Sequence, residues 1–365
     1  MTPSTRSMGK GEASKSSKSE ASKKSKTSES IPSTDKTSSS DDPVRARSLM
    51  ETYDLWIDHK VSGNTKKGKE ILKAAKDLIT KERLSPTKPE TLERFMEKRE
   101  KYKLSNEATF IDVIWWILVR DFRQVKESGV DIKSIQEKEE LIFTKYWDKD
   151  FLLHRRDQEF ERGRLPTPNI ENDETLAKLL GKVKGMKNPK PDLAYGLDKD
   201  AFSYEEQYVN DANPKIADLS KGIYHPFFIA EFKSAKGAMI DAENQACRGG
   251  AAIMNTLRQL KDMAKNADKD HGHDTGSYVF SLTIMPDQAK INVHWAEMRT
   301  ATKIVYHMHK VQKYDLEDEA SVTMLRVAIN NILDWGVVDR KVYLKGLLRT
   351  IYKLDMGLPV DDPRS

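Results

Sequence analysis

A chain of 365 residues, of which 38% are hydrophobic and 33% charged, is long enough to bury one large core or two ordinary ones. Its net charge of +5 permits contact with nucleic acid without requiring it. The single cysteine, Cys247, excludes an intramolecular disulfide and fits a reducing compartment, and the longest apolar run, "FIDVIWWILV" at Phe110 to Val119, is too short to span a bilayer.

Residues 1–45 are dominated by Ser, Lys, Thr and Glu, with hardly an apolar side chain. Such a composition cannot bury enough apolar surface to offset the entropy of ordering, so a disordered tail is expected. It lacks the apolar segment of a secretory leader, which points to the nucleus or cytoplasm. Residues 46–165 read as a helical region. "KGKEILKAAKDLITKERL" and "PETLERFMEKREKYKL" alternate charged and apolar faces at helical spacing. "SNEATFIDVIWWILVRDFRQVKESG" is apolar almost all round, so it should be a buried helix capped at Ser105, with Trp115 and Trp116 in the core.

The prolines of "ERGRLPTPNIENDE" mark a boundary near Pro166, followed by a short helix over "DETLAKLLGKVKG". Residues 166–320 then change vocabulary. "KPDLAYGL" and "GIYHPFFIAEFKS" read as strands, and "SYVFSLTIMPDQAKINVHWAEM" as a hairpin turning at Pro286 and Asp287. A long helix, roughly Met239 to Ala267, separates the second strand from the hairpin. Residues 321–365 supply two closing helices, the first ended by Gly336. The expected class is α/β: a mixed sheet flanked by helices.

Chemistry concentrates at the end of the second strand. Glu231 and Lys233, two residues apart, point to the same side of a strand, and burying their charges is costly unless something compensates them. The two pair with each other or with neighbours, or a cation is bound. Mg2+ or Mn2+ needs few protein ligands, provided these are oxygens. Asp192 can supply a second carboxylate if its strand lies beside that of Glu231. The backbone carbonyl of Phe232 can supply a third oxygen, and Lys233 can then orient a water or stabilise charge on a phosphate.

"PD" at one strand and "E-x-K" at the next resemble the PD-(D/E)XK nuclease superfamily. More narrowly, "HPFFIAEFKS", "AENQACRGGAA", "VHWAE" and "NILDWG" resemble a fungal family of nuclease-like domains whose biological role is generally unassigned. The resemblance implies a restriction-endonuclease-like core, a Mg2+- or Mn2+-dependent hydrolase of DNA or RNA, Asp192 and Glu231 as metal ligands together with the Phe232 carbonyl, Lys233 as the catalytic lysine, and Gln245 as the glutamine of the following helix. Arg248, three residues on, shares the helical face of Gln245 and suits either a phosphate or a salt bridge. Some members add a glutamate from the first core helix, for which Glu171 and Glu174 are the candidates. Gly249, Gly250, Ala251 and Ala252 let the same helix approach the sheet closely.

Other features have plainer explanations. His271 with His273, and His307 with His309, lack the third and fourth ligands of a zinc site; if helical, His307 and His309 face different ways. His294 reads as a structural histidine on a core strand. The alternative to an enzyme is a catalytically inactive fold of the same kind, acting as a nucleic-acid-binding or protein-interaction module in which Glu231 and Lys233 form an ion pair.

Overall fold

A computed structural model describes residues 42–83, 87–119, 152–156, 188–220, 222–264, 277–300 and 303–360, with residues 159, 160, 165 and 186. In chain order these form helix α1 (Pro43–Thr52), strand β1 (Leu55–Ile57), α2 (Lys60–Asn64), α3 (Lys66–Thr80), α4 (Pro89–Tyr102), α5 (Glu107–Leu118), β2 (Leu152–Arg156) and β3 (Leu193–Leu197). There follow α6 (Tyr204–Ala212), α7 (Pro214–Ala217), β4 (Asp218–Ser220), β5 (Ile223–Phe232), α8 (Met239–Ala264), β6 (Tyr278–Ile284), β7 (Gln288–Met298), β8 (Ile304–Asp315), α9 (Glu319–Trp335) and α10 (Lys341–Asp355).

The strands make one mixed sheet in the order β1-β8-β7-β6-β5-β3-β2, with β4 also on β5. β5 pairs with β6 in parallel and with β3 antiparallel. A parallel pair needs a crossover, and α8 provides it. Covered on both faces, β5 is apolar without alternation: Phe227, Phe228, Ile229, Ala230 and Phe232 are all fully buried, as befits a central strand. On one side Trp115 of α5 packs on Phe228 and edge-on to Phe232, and its indole N–H donates to the Tyr195 hydroxyl at 2.6 Å. On the other side lies α8.

The glycines of α8 set how close that helix comes. A Cβ added to Gly249 would stand 2.5 Å from Ile229 Cδ1, and one added to Gly250 would stand 2.1 Å from His294 Nδ1. The His294 ring is buried and its Nε2 lies 2.8 Å from Ser281 Oγ, so it cannot retreat. Gly250→Ala is therefore expected to lower stability by about 2 kcal/mol, because overpacking a rigid core outweighs the gain in helix propensity. Gly346, on α10, has nothing within 4 Å of an added Cβ, and Gly346→Ala should instead stabilise by about 1 kcal/mol. Urea unfolding of the two variants beside the wild type checks both signs.

Several expectations need correcting. The helical reading of 46–165 fails at β1 and β2, which belong to the sheet: Leu55 pairs with Tyr306 of β8, and Leu153 with Gly196 of β3. Strands before and after Pro166 thus share one sheet. Helix α1 begins at Pro43, inside the span read as tail; Asp42 caps it, accepting from Val44 N. The cap of α5 is Asn106 rather than Ser105, its side chain accepting from Thr109 N. Trp115 is buried, whereas Trp116 is 48% exposed.

The α-helix α9 does end at Trp335 with Gly336 as its C-cap, but the chain stays helical beyond it. The chain continues from Trp335 through a π-helical turn, Gly336–Arg340, into α10. The missing side chain of Gly336 also serves packing, since a Cβ there would lie 2.0 Å from Phe227 Cε2. The hairpin between β6 and β7 does turn at Pro286 and Asp287, closed by Met285 N donating to Gln288 O. The tail up to residue 41, the boundary near Pro166, the short helix expected over 173–185 and the last residues of the long helix, 265–267, lie outside the described residues. Among the described residues no helix is long and apolar enough to cross a membrane.

Candidate active site at the end of strand β5

Antiparallel register brings the first two groups together. Leu193 pairs with Ala230, so one step further along the ladder Asp192 stands opposite Glu231. Asp192 closes this step itself: its Oδ2 accepts from Phe232 N at 2.6 Å, a short, charge-assisted bond. On the parallel side Glu231 pairs with Thr283 of β6. Asp192 and Glu231 are both buried, with 8% and 1% exposure.

Glu231 is buried at an unusual cost. Among the described residues, neither of its buried carboxylate oxygens has a hydrogen-bond partner. Its pKa is raised well above the ordinary carboxylate value, first by burial and then by the charge of Asp192; Lys233 and Arg248 act in the opposite direction. Gln245 Oε1, on α8, and Thr283 Oγ1 are likewise buried without a hydrogen-bond partner. A buried unpaired polar group is expensive, and one bearing a full charge is retained only where something is to bind it or where protonation relieves it.

Lys233 follows the strand directly and turns toward the head of α5. Its ammonium donates to the Phe232 carbonyl at 2.6 Å and to Glu107 Oε2 at 3.1 Å. The expected ion pair with Glu231 is not among its hydrogen bonds, although its charge is felt there. Glu107 is the residue that sequence reasoning missed. It occupies the first turn of α5, where a carboxylate is favoured by the helix dipole, and its charge also acts on Glu231. Glu171 and Glu174, the upstream acids considered from the sequence, lie outside the described residues. The clue was the position of Glu107 at the head of the apolar helix preceding β2, which only recognition of β2 as a core strand would have made meaningful.

Arg248 is partly buried, its Nε donating to Asn244 O at 3.4 Å, and its charge bears on Glu231. The neighbouring acid of α8, Glu243, is held below the usual carboxylate range by hydrogen bonds from Lys290 and Arg47, despite its burial. Cys247 is buried and unpaired, and burial pushes its thiol up to about 12.

The donor set suits a hard divalent ion. The unpartnered oxygens of Glu231 beside Asp192 offer carboxylate ligands of the kind Mg2+ and Mn2+ accept, with water completing the shell. Among the described residues no group of three His, Cys, Asp or Glu side chains is assembled for a metal. His307 and His309 are not helical but lie on β8, where their alternate positions share one face; both rings rest on Trp295, at 4.9 and 5.0 Å. His271 and His273 fall outside the described residues.

Residues 94–346 match the family DUF7924, a domain of unknown function. The chain belongs to that family. The match spans α5, β3, β5 and α8, so all four groups of the cluster, Glu107, Asp192, Glu231 and Lys233, fall within the DUF7924 segment. No curated protein matches the chain.

Proposed function

We propose that this chain is a metal-dependent phosphodiesterase of PD-(D/E)XK type acting on DNA or RNA. The observation that carries the reading is the convergence, from distant parts of the sequence, of Asp192, Glu231, Lys233 and Glu107 on one end of β5, with neither Glu231 oxygen given a donor among the described residues. The succession of described core elements, α5, β2, β3, then β5 after α6, α7 and β4, then α8 and β6, with β2 antiparallel to β3, β3 antiparallel to β5 and β6 parallel to β5, supports a restriction-endonuclease-like core.

Asp192 and Glu231 would hold Mg2+ or Mn2+, which when bound supplies Lewis-acid polarisation and an activated water. The residues of the chain do the positioning. Asp192 is locked to the Phe232 amide, which fixes its carboxylate against β5. Phe232 points its ring away, onto Trp115, leaving its carbonyl at the site. Lys233 presents the one ammonium of the cluster, 13% exposed, at the place where negative charge on a phosphate would develop. Gln245 and Arg248, on the helix facing Glu231, would support substrate or the carboxylate from behind.

The test is cleavage of single- and double-stranded DNA and RNA by the full chain with Mg2+, with Mn2+ and with chelator. Metal-dependent cleavage that falls at least about 100-fold in Asp192→Ala is expected. Equal cleavage by wild type and Asp192→Ala, or none by the wild type on any substrate, rejects the mechanism.

The depth of the carboxylates favours a second reading, a nucleic-acid-binding or protein-interaction module of the same fold without catalysis: at 1% and 8% exposure neither Glu231 nor Asp192 meets solvent freely. Thermal melts separate the two. Stabilisation by Mn2+ that Asp192→Ala abolishes favours the enzyme, because a ligand that binds only the folded state raises its stability by mass action.

A further inference from the structure

We infer that Lys233 is an internal competitor of the metal: its ammonium occupies the Phe232 carbonyl, so that a divalent ion enters only as the lysine swings off that oxygen toward Glu107. This rests on the metal-site reading above and adds to it a mechanism that sets the affinity of the site.

The Lys233 ammonium makes its 2.6 Å bond to the carbonyl expected to serve as the third oxygen ligand, and the 3.1 Å bond to Glu107 is its second anchor. The Lys233 side chain is only 13% exposed, so water cannot take over the role of either acceptor without movement. Two cations cannot share one carbonyl at ligand distance in so dry a place without strong repulsion. The stem also has little room on the inside of the turn. A Cβ on Gly237 would lie 2.9 Å from Lys233 Cβ and 3.2 Å from its Cδ, so Ser234–Gly237 closes against the aliphatic chain. The open direction is toward Glu107, whose side chain is 36% exposed.

The consequence is a coupling. Displaced from Phe232, the ammonium remains tethered by Glu107 at the mouth of the site, where a phosphate group can take it. A polyanion that engages Lys233 therefore favours metal binding, and by linkage metal favours the polyanion. Without a polyanion, the site carries its own positive charge and binds a divalent ion weakly.

The test is calorimetric titration of Mn2+ into the full chain as wild type, Lys233→Met and Lys233→Arg, each confirmed folded by circular dichroism. Methionine keeps much of the stem and removes the charge. Lys233→Met is expected to bind Mn2+ at least about tenfold tighter than the wild type, and Lys233→Arg no tighter than the wild type. Binding by Lys233→Met equal to or weaker than that of the wild type, or equal gains in the Met and Arg variants, overturns the competition while leaving the metal site standing. Absence of binding in all three proteins removes the metal site itself, and the proposed function with it.

Discussion

Glu231→Gln is expected to raise the stability of the folded chain near pH 7 by about 2 kcal/mol while eliminating any stabilisation by Mg2+ or Mn2+. The two Glu231 oxygens are buried without donors, and its pKa is raised mainly by that burial. A raised carboxylate pKa means that the folded chain holds its proton at pH values where the unfolded chain has released it. The group therefore destabilises the fold increasingly as pH rises above its ordinary value of 4.5, and the penalty vanishes below it. Glutamine has the same shape and no such titration. The stability gap between variant and wild type should thus be small at pH 4 and open toward pH 7, as read from urea unfolding at both pH values. A variant less stable than the wild type at pH 7 would show that the carboxylate is satisfied in the native state, and the case for a ligand there would collapse. Sites kept at a cost to stability are commonly sites of function, which is why the sign of this substitution matters more than its size.

Acid should weaken the fold well before ordinary carboxylates titrate. Burial pushes His225, His294 and His307 each down to about 3, with the cation Arg340 adding to the effect at His225 and neighbouring cations and histidines at His307. Their ordinary value is 6.5. Below that value the unfolded chain binds protons that the folded chain refuses, so the stability these groups contribute is present above pH 6.5 and declines as pH falls toward 3. Each histidine costs about 1.4 kcal/mol per pH unit inside that window. Going from pH 7 to pH 5 is then expected to remove about 6 kcal/mol from the three together, comparable with the whole stability of many domains. Glu231 works in the other direction and recovers at most one proton's share. Thermal melts at half-unit steps between pH 5 and 7 read the slope, and His294→Gln should reduce it by one proton. Superimposable melts at pH 5 and 7 would mean that these rings are not held neutral.

The imidazole environments show how the same residues looked different in the sequence and in the fold. His294 was legible as a structural histidine because alternation along "INVHWAE" assigned it a face. His307 and His309 were not, because "YHMHK" lies in a stretch whose strand character depends on pairing with β7 and β1, both distant in the chain. For the same reason β1 and β2 escaped notice. Three and five residues long, they are strands because the sheet edges accept them, not because their own composition demands it. The glycine at 336 marked the end of α9 by local rule, but its second role, making room for Phe227, was set by packing.

By itself the sequence determined the α/β class, the apolar central strand that ends in Glu231 and Lys233, the long crossover helix with its small-residue stretch, and the hairpin after it, all from periodicities of two and 3.6 and from turn residues. Only the tertiary structure decided which charges meet. It set Asp192 onto the Phe232 amide, left Glu231 without a donor, and gave Lys233 to Glu107 instead of to Glu231. Those outcomes depend on strand register and on where a helix 126 residues away begins, and neither is encoded in the spacing of any local segment. Long-range pairing is a property of the whole packed sheet, so the identity of the partners emerges only once the chain has closed on itself.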